Sequence, residues 1–377
     1  MKGTINVVNY MKFGKLDRRV KTFGHYFQDA GYATAVTGKW QLGTEDDSPL
    51  HFGFDEAFLW RHKLKSSVKG FNGDKRDSRF ASPWIQHTRR EDGKIESDVK
   101  QYPYLYGPDL ISDFACDFIE ANKEKPFFLY YPMALVHCPF DYTPDSEGWE
   151  ENNLGSLTYK GNPEYFADMV AYTDKIVGKI IDQLEASGVR ENTLIIFTGD
   201  NGTDKPIVSM MGDQEVIGSK SIPIEWGTHV PFVASWPRSI PKGSFNSDLI
   251  DFSDMLPTIC EAAGIDVPVD PLLTGRSFLP QLKGEQGEPR EWLYCWYHPR
   301  GHNDLKIFTR TEQYKLYKSG AFYDVSKDVL EQQPLEVSGL GEVAMVAHAQ
   351  LQQALAGFEV LEQRHKEVYP DKERGAK

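Results

Sequence analysis

Residues 31–43 read G-Y-A-T-A-V-T-G-K-W-Q-L-G. The run Ala33 to Thr37 is short and β-branched, as a strand favours, and it ends in Gly38. That glycine delivers Lys39, Trp40 and Gln41 to the end of the strand. In open α/β sheets ligands bind in the crevice beyond the carboxyl ends of the strands, so a cation and an amide placed there suit an anionic substrate. A glycine-bounded strand-to-loop turn with a surface lysine has the same local signature. This stretch alone leaves both readings open, and the other strand ends of the chain bear on the choice.

Working outward, a helix near Thr22 to Ala30 leads into this strand. To about residue 285 the chain alternates helical and strand-like segments, the pattern of an α/β domain with a largely parallel sheet. A helix over about Asp109 to Asn122 places Leu110, Phe114 and Phe118 on one face and feeds F-F-L-Y-Y (127–131). The clearest helix has Asn162 as N-cap and Pro163 at its first position, and stops before Gly188. Its Phe166, Met169, Val170, Thr173, Ile176, Val177, Ile180, Ile181 and Leu184 recur at three- and four-residue steps. That is a core-facing stripe, with no ligand role. Strands N-T-L-I-I-F-T (192–198) and V-P-F-V-A-S-W (230–236) follow, then a helix around Ser253 to Ala263 that Gly264 would terminate.

Past residue 285 the texture changes to short aromatic strands, W-L-Y-C-W-Y, K-I-F-T-R and Y-K-L-Y-K, before a polar helix from about Glu342 to Val368. The expected organisation is therefore an α/β domain over 1–285 and a C-terminal subdomain over 286–377, a small antiparallel sheet with a terminal helix. The charged segment 62–100 reads as a surface excursion flanking the substrate groove, because long loops in compact domains are commonly functional.

A net charge of −13, from 42 basic and 55 acidic side chains, argues against nucleic-acid or anionic-membrane binding, which needs a basic face. It leaves room for an anionic small substrate held by a local pair of lysines. The 22 Phe, 18 Tyr and 8 Trp foretell a ring-rich core, with sugar stacking as a second use. Cys116, Cys138, Cys260 and Cys295 are widely spaced, without C-x-x-C or zinc spacing, and read as free, mostly buried thiols. The opening M-K-G-T-I-N-V-V-N-Y lacks the apolar core of a signal peptide. The longest nearly apolar run, Pro126 to Val136, is too short to span a bilayer.

Three further loops carry chemistry. T-G-D-N-G (198–202) follows an apolar strand, and Asp200 and Asn201 are hard oxygen donors of the kind calcium or magnesium prefers. N-G is also a leading hairpin-turn pair, but Thr203, Asp204, Lys205 and Pro206 do not begin an alternating return strand. His137 lies just past the strand 127–131, and Lys220 sits in the glycine-bounded G-S-K-S-I-P-I-E-W-G (218–227). Each is unremarkable alone. As a set, two lysines can hold an anionic group, a metal can polarise it, and an imidazole can protonate a leaving alcohol, which describes hydrolysis of a sulfate or phosphate ester.

These strings resemble the formylglycine-dependent sulfatases, an arylsulfatase-like branch of the alkaline phosphatase superfamily. G-Y-A-T-A-V-T-G-K-W-Q-L-G is similar to the family signature G-Y-x-T-x-x-x-G-K-W-H-L-G, and H-F-G-F-D-E-A-F (51–58) to the segment after it. P-F-F-L-Y-Y-P-M-A-L-V-H-C-P-F resembles the family's leaving-group histidine region, N-T-L-I-I-F-T-G-D-N-G its metal strand, and G-S-K-S-I-P-I-E-W-G-T-H-V-P-F its sulfate-lysine loop. D-F-S-D-M-L-P-T-I-C-E-A-A-G-I, T-G-R-S-F-L-P-Q-L-K-G and A-F-Y-D-V-S-K-D match later landmarks in order, so the likeness spans about residues 5–335. It implies an alkaline phosphatase-like α/β sandwich with a large, mostly parallel central sheet flanked by helices. It also implies Ca2+ or Mg2+ as cofactor, a sulfated small molecule or glycan as partner, and, as in many relatives, a periplasmic or secreted location. By resemblance, His137 is the leaving-group acid, Lys39 and Lys220 contact the sulfate, Asp200 and Asn201 ligate the metal, and Gln41 hydrogen-bonds the nucleophile.

The departures are equally specific. The family's strand with paired aspartates and its C-x-P-S-R nucleophile motif do not occur in these 377 residues. Gln41 stands where many sulfatases carry histidine. T-I-N-V-V-N-Y-M-K-F-G resembles the family's sequence shortly after the nucleophile, so the expectation is a truncated sulfatase sequence that is inactive alone. The alternative is a non-catalytic relative that binds sulfated glycans or a protein partner. An in-frame C-x-P-S-R or S-x-P-S-R encoded upstream of Met1 would decide between them.

Overall fold

The computed structural model describes residues 16–43, 45–61, 79–150, 152, 155–267, 272–297 and 306–368. The stretch 4–14 and the first half of the charged excursion (62–78) lie outside the described residues. The chain divides into two compact units, one of Arg18–Leu194 with Trp236–Arg238, the other built on Ile195–Ser235 and Ser239–Lys377.

The first unit is organised around the quoted strand. Helix α1 (Phe23–Asp29) begins after Thr22, whose backbone N–H donates to His25 Nδ1 at 3.1 Å. Strand β1 (Ala33–Lys39) follows and is buried over Thr34–Thr37. It runs parallel to β2 (Glu56–Trp60) on one side and to β5 (Phe127–Tyr130) on the other. Beyond β2 lie β3 (Trp84–Glu91) and β4 (Lys94–Gln101), both antiparallel, giving the sheet order β4-β3-β2-β1-β5. The central sheet is thus mixed. The second half of the expected surface excursion is no loop but a hairpin closing that edge. Asp92 and Gly93 at its tip both have positive φ, as a two-residue hairpin turn requires.

Helix α2 (Gly107–Asn122) packs on β1 and β2, and α3 (Phe166–Ala186) packs on α2. The asparagine cap holds, with Asn162 Oδ1 accepting from the Glu164 N–H at 3.2 Å, although the first turn is 3-10. The α3 stripe is narrower than its spacing suggests: Met169, Thr173, Ile176 and Leu184 are buried, whereas Val170 is 45% exposed. One residue is about 100° of helix rotation, which carries Val170 off the face touching α2.

The core of this unit is aromatic. Phe27 stacks on Phe128 with ring centroids 4.2 Å apart, and Phe23 meets Phe128 and Tyr130 edge-on at 5.3 and 5.2 Å. Two of the motifs are joined here. Asp55 of H-F-G-F-D accepts from the Thr34 backbone N–H (3.0 Å) and Thr34 Oγ1 (2.9 Å), and Gln28 donates to its other oxygen (2.7 Å). The threonine of G-Y-x-T is therefore a register lock for β1 rather than a reactive group.

In the second unit, β6 (Ile195–Thr198) pairs antiparallel with β9 (Phe232–Ser235), and between them β7 (Val208–Met211) and β8 (Gln214–Ile217) form a hairpin. Helix α4 (Met255–Ala262) follows a 3-10 turn and ends at Gly264, whose φ is +68°. Asp254, at the join, is 1% exposed and is clamped by the Arg290 guanidinium and by the backbone N–H groups of Asp251 and Arg276, both at 2.8 Å. Strands β10 (Leu293–Tyr297), β11 (Lys306–Arg310), β12 (Tyr314–Tyr317) and β13 (Phe322–Asp324) form the small antiparallel sheet. The long helix α5 (Glu342–Val368) covers it, with Ala344, Ala347 and Leu351 packed against Tyr314, Leu316 and Phe322. No described helix is long and apolar enough to cross a membrane. None of the four cysteines is in a disulfide; Cys138 and Cys260 are buried and Cys116 and Cys295 partly so.

Candidate functional site

Lys39 ends β1 because Gly38 can do what no other residue could there. Its φ is +115°, and a Cβ would stand 2.4 Å from the Pro132 carbonyl oxygen. The Lys39 N–H donates to that same oxygen at 2.7 Å, tying the end of β1 to the loop after β5. Trp40 is buried and donates from Nε1 to Ser48 Oγ at 3.1 Å, which anchors the chain on the far side of the lysine. Gln41 comes next, half-buried. The K-W-Q tripeptide is thus one presented cation, one anchor and one amide at the loop surface.

The strand register puts Trp60 opposite Lys39. The Arg79 guanidinium lies over the Trp60 ring at 4.9 Å and near the Tyr159 ring at 5.9 Å. It also reaches His137, with Arg79 Nη1 2.8 Å from His137 Nδ1. Lys39, Trp60, Arg79 and His137 therefore form a continuous series along the carboxyl edge of β1, β2 and β5. His137 Nδ1 is also 2.7 Å from the Cys138 carbonyl oxygen. A guanidinium only donates and a carbonyl only accepts. The two contacts consequently belong to alternative states of the ring. When Arg79 donates, Nδ1 offers its lone pair and the ring hydrogen is on Nε2. When Nδ1 is protonated, it donates to Cys138.

In the second unit, Asp200 and Asn201 directly follow β6, and Lys220 lies in the loop after β8. The two loops are sewn together through their backbones. The Lys220 N–H donates to Thr203 O at 2.9 Å, and Gly202 N–H to Gly227 O at 3.0 Å. Gly202 is required by that approach, since a Cβ would stand 2.0 Å from the Trp226 oxygen. N-G does not turn a hairpin here; β6 pairs with β9 instead. Asp200, Asn201 and Lys220 are brought onto neighbouring loops, as Lys39 and His137 are brought to one sheet edge. Among the described residues no group of three or more His, Cys, Asp or Glu side chains is placed to hold a metal ion. One carboxylate and one amide are fewer than the six to eight or so oxygens calcium takes, so the described donors do not make a complete site.

Two sets of supporting residues escape sequence reading. Arg79 carries no local signal, being one arginine in a charged stretch. Glu225 bonds His229 Nδ1 at 2.7 Å and pairs with Arg310 from β11. Burial opposes the Glu225 charge, but His229 and the Arg310 guanidinium outweigh it and hold the carboxyl at about 2. The same bond lifts the His229 imidazole above its ordinary value, against the effect of burial.

Comparison with known proteins agrees with this architecture. Residues 2–265 match the sulfatase family model, and residues 220–357 match that of the N-sulphoglucosamine sulphohydrolase C-terminal region. An arylsulfatase of Hemicentrotus pulcherrimus is 27% identical over 309 residues, 78% of this chain and 51% of that protein. The uncharacterized sulfatase YdeN of Escherichia coli (strain K12) is 30% identical over 314 residues, 78% of this chain and 53% of that protein. The chain spans about half the length of these relatives. The solved structure of BT4656 in complex with its substrate D-glucosamine-2-N,6-O-disulfate shares the fold, with a TM-score of 0.62 at 20% identity over 97% of this chain and 89% of that one. With a family match across well over half its residues, this chain belongs to the sulfatase family.

Proposed function

We propose that this chain carries the anion-binding and leaving-group machinery of a sulfate-ester hydrolase acting on a sulfated glycan or small molecule. The observation that carries the reading is the series Lys39, Arg79 and His137 along one carboxyl sheet edge, where an ammonium and an imidazole can engage one ester from two sides. Lys39 on the first unit, and Lys220 on the second, are each a candidate contact for sulfate oxygens, and Gln41 would hydrogen-bond the attacking group. His137 would give a ring proton to the departing alcohol oxygen. Asp200 and Asn201 are the donors offered to a divalent cation. The glycan class is supported by the sulfated glucosamine bound to BT4656.

Residues 1–377 contain no C-x-P-S-R, so this reading gives them binding and protonation but no attack on sulfur. The second reading, a non-catalytic sulfatase relative that binds sulfated glycans, calls on the same anion-binding residues. Calorimetric titration with D-glucosamine-2-N,6-O-disulfate against unsulfated glucosamine tests the shared premise. The sulfated sugar alone should give heat, and Lys39→Ala should weaken it about tenfold, equal to about 1.4 kcal/mol. No heat above the Lys39→Ala control sinks both readings. Turnover of an aryl sulfate should be negligible, and robust turnover by residues 1–377 would overturn the assignment of binding without attack.

A further inference from the structure

A buried charge cluster on the C-terminal sheet grips the loop that carries Lys220. Lys315 of β12 is only 1% exposed, an unusual place for an ammonium. Its Nζ donates to the Pro223 carbonyl oxygen and to Glu331 Oε1 at 2.6 Å. It also lies over the Phe308 ring at 3.8 Å and the Tyr317 ring at 4.9 Å. The Tyr317 hydroxyl donates to Glu331 Oε2 at 2.5 Å and lies 3.3 Å from the same Pro223 oxygen. Two residues further on, Glu225 is held by Arg310 of β11. The segment 219–227 is thereby attached to two adjacent strands of the sheet at two points.

Two physical arguments say that this attachment serves more than cohesion. A buried lysine–glutamate pair is a poor way to gain stability, because desolvation offsets the attraction and well-packed apolar side chains do as well or better. What such a pair supplies is direction: an ammonium can hold a carbonyl oxygen at one point. The loop also needs holding. Ser221, next to Lys220, is a non-glycine residue at φ +73°, a conformation that persists only when its surroundings enforce it.

We infer that Lys315, Glu331 and Tyr317 are positioning residues that set the Lys220 loop through the Pro223 carbonyl, so that the C-terminal sheet fixes the anion-binding geometry. The inference rests on the reading of Lys220 as a sulfate contact, but its structural half can be tested apart from it. Lys315→Met keeps an unbranched chain one atom shorter and removes the donor; Tyr317→Phe removes one hydroxyl and is the milder variant. Hydrogen exchange followed amide by amide should show Lys220, Ile222 and Gly227 exchanging about tenfold faster or more in Lys315→Met, and less so in Tyr317→Phe. The Thr309 and Leu316 amides of the sheet should keep their protection. Affinity for D-glucosamine-2-N,6-O-disulfate should fall in the same order. Leu316→Ala, which loosens the packing against α5 without touching Pro223, should lower the melting temperature and leave the three loop amides slow. Unchanged loop exchange in both Lys315→Met and Tyr317→Phe overturns the inference. Faster loop exchange in a protein whose wild type ignores the sulfated sugar upholds the bracket and fells the functional reading instead.

Discussion

Lys39 and Lys220 sit on backbones secured in different ways. The first ends a strand flanked on both sides by parallel neighbours, over a core of stacked rings, with its turn forced by one glycine against one carbonyl. The second lies on a loop beside a two-stranded pair whose Phe197 and Val233 are 36% and 58% exposed. Loop-to-loop backbone bonds and a buried polar bracket secure it. Apolar packing tolerates modest change by small shifts, whereas a polar bracket fails when one partner is removed, because the other is then buried without compensation. The first region should therefore break on shape, and the second on charge.

The largest effect should come from shape. Gly38→Ala drives a methyl into the Pro132 oxygen at a left-handed φ and should cost roughly 4 kcal/mol in denaturant unfolding. A loss under about 1 kcal/mol would mean the end of β1 is softer than its register implies. On the charge side, Arg290→Met strands the buried Asp254 carboxylate and should cost about 3 kcal/mol. Pairing it with Asp254→Leu should recover much of that, and no recovery would show that shape matters there as well.

The Glu225 cluster makes the charge dependence visible in pH. Its carboxyl is held at about 2 against an ordinary 4.5, so its contribution is complete above pH 4.5 and is lost as the pH falls toward 2. After allowance for partial exposure this is roughly 2 kcal/mol, and Glu225→Gln should flatten the acid limb of the stability curve by that amount. His229 acts in the opposite sense. Its raised value gives a contribution that is whole below 6.5 and fades as the pH climbs through the folded-state value. The smallest effect should be Arg79→Met, about 1 kcal/mol in stability. Ring nitrogen chemical shifts should nonetheless show His137 moving its hydrogen onto Nδ1 toward the Cys138 carbonyl. An unmoved tautomer would take Arg79 out of the site.

Much of this was legible from periodicity and punctuation. The helix capped by Asn162, the strand at 127–130 and the aromatic strands past residue 285 announce themselves by spacing that the structure keeps, while the strand expected over 192–198 is confined to Ile195–Thr198 after a 3-10 turn. The β3–β4 hairpin was legible too, in Asp92-Gly93, but a run of charges masked it as a loop. Its strands alternate weakly because β4 is largely exposed. The lysines, the histidine and the Asp200–Asn201 pair could be nominated because each closes or follows a strand. Nothing local could nominate Arg79, Arg310 or Lys315, whose partners lie 58, 85 and 92 residues away.

By itself, then, the amino-acid order determined the family, the succession of strands and helices, and which polar groups stand at strand ends, because those are properties of neighbouring residues and of motif spacing. Only the tertiary structure decided which groups hold them there: the carbonyl that makes Gly38 indispensable, the guanidinium beside His137, and the buried ammonium behind Lys220. Burial and long-range pairing set those roles, and both exist only once the chain has folded.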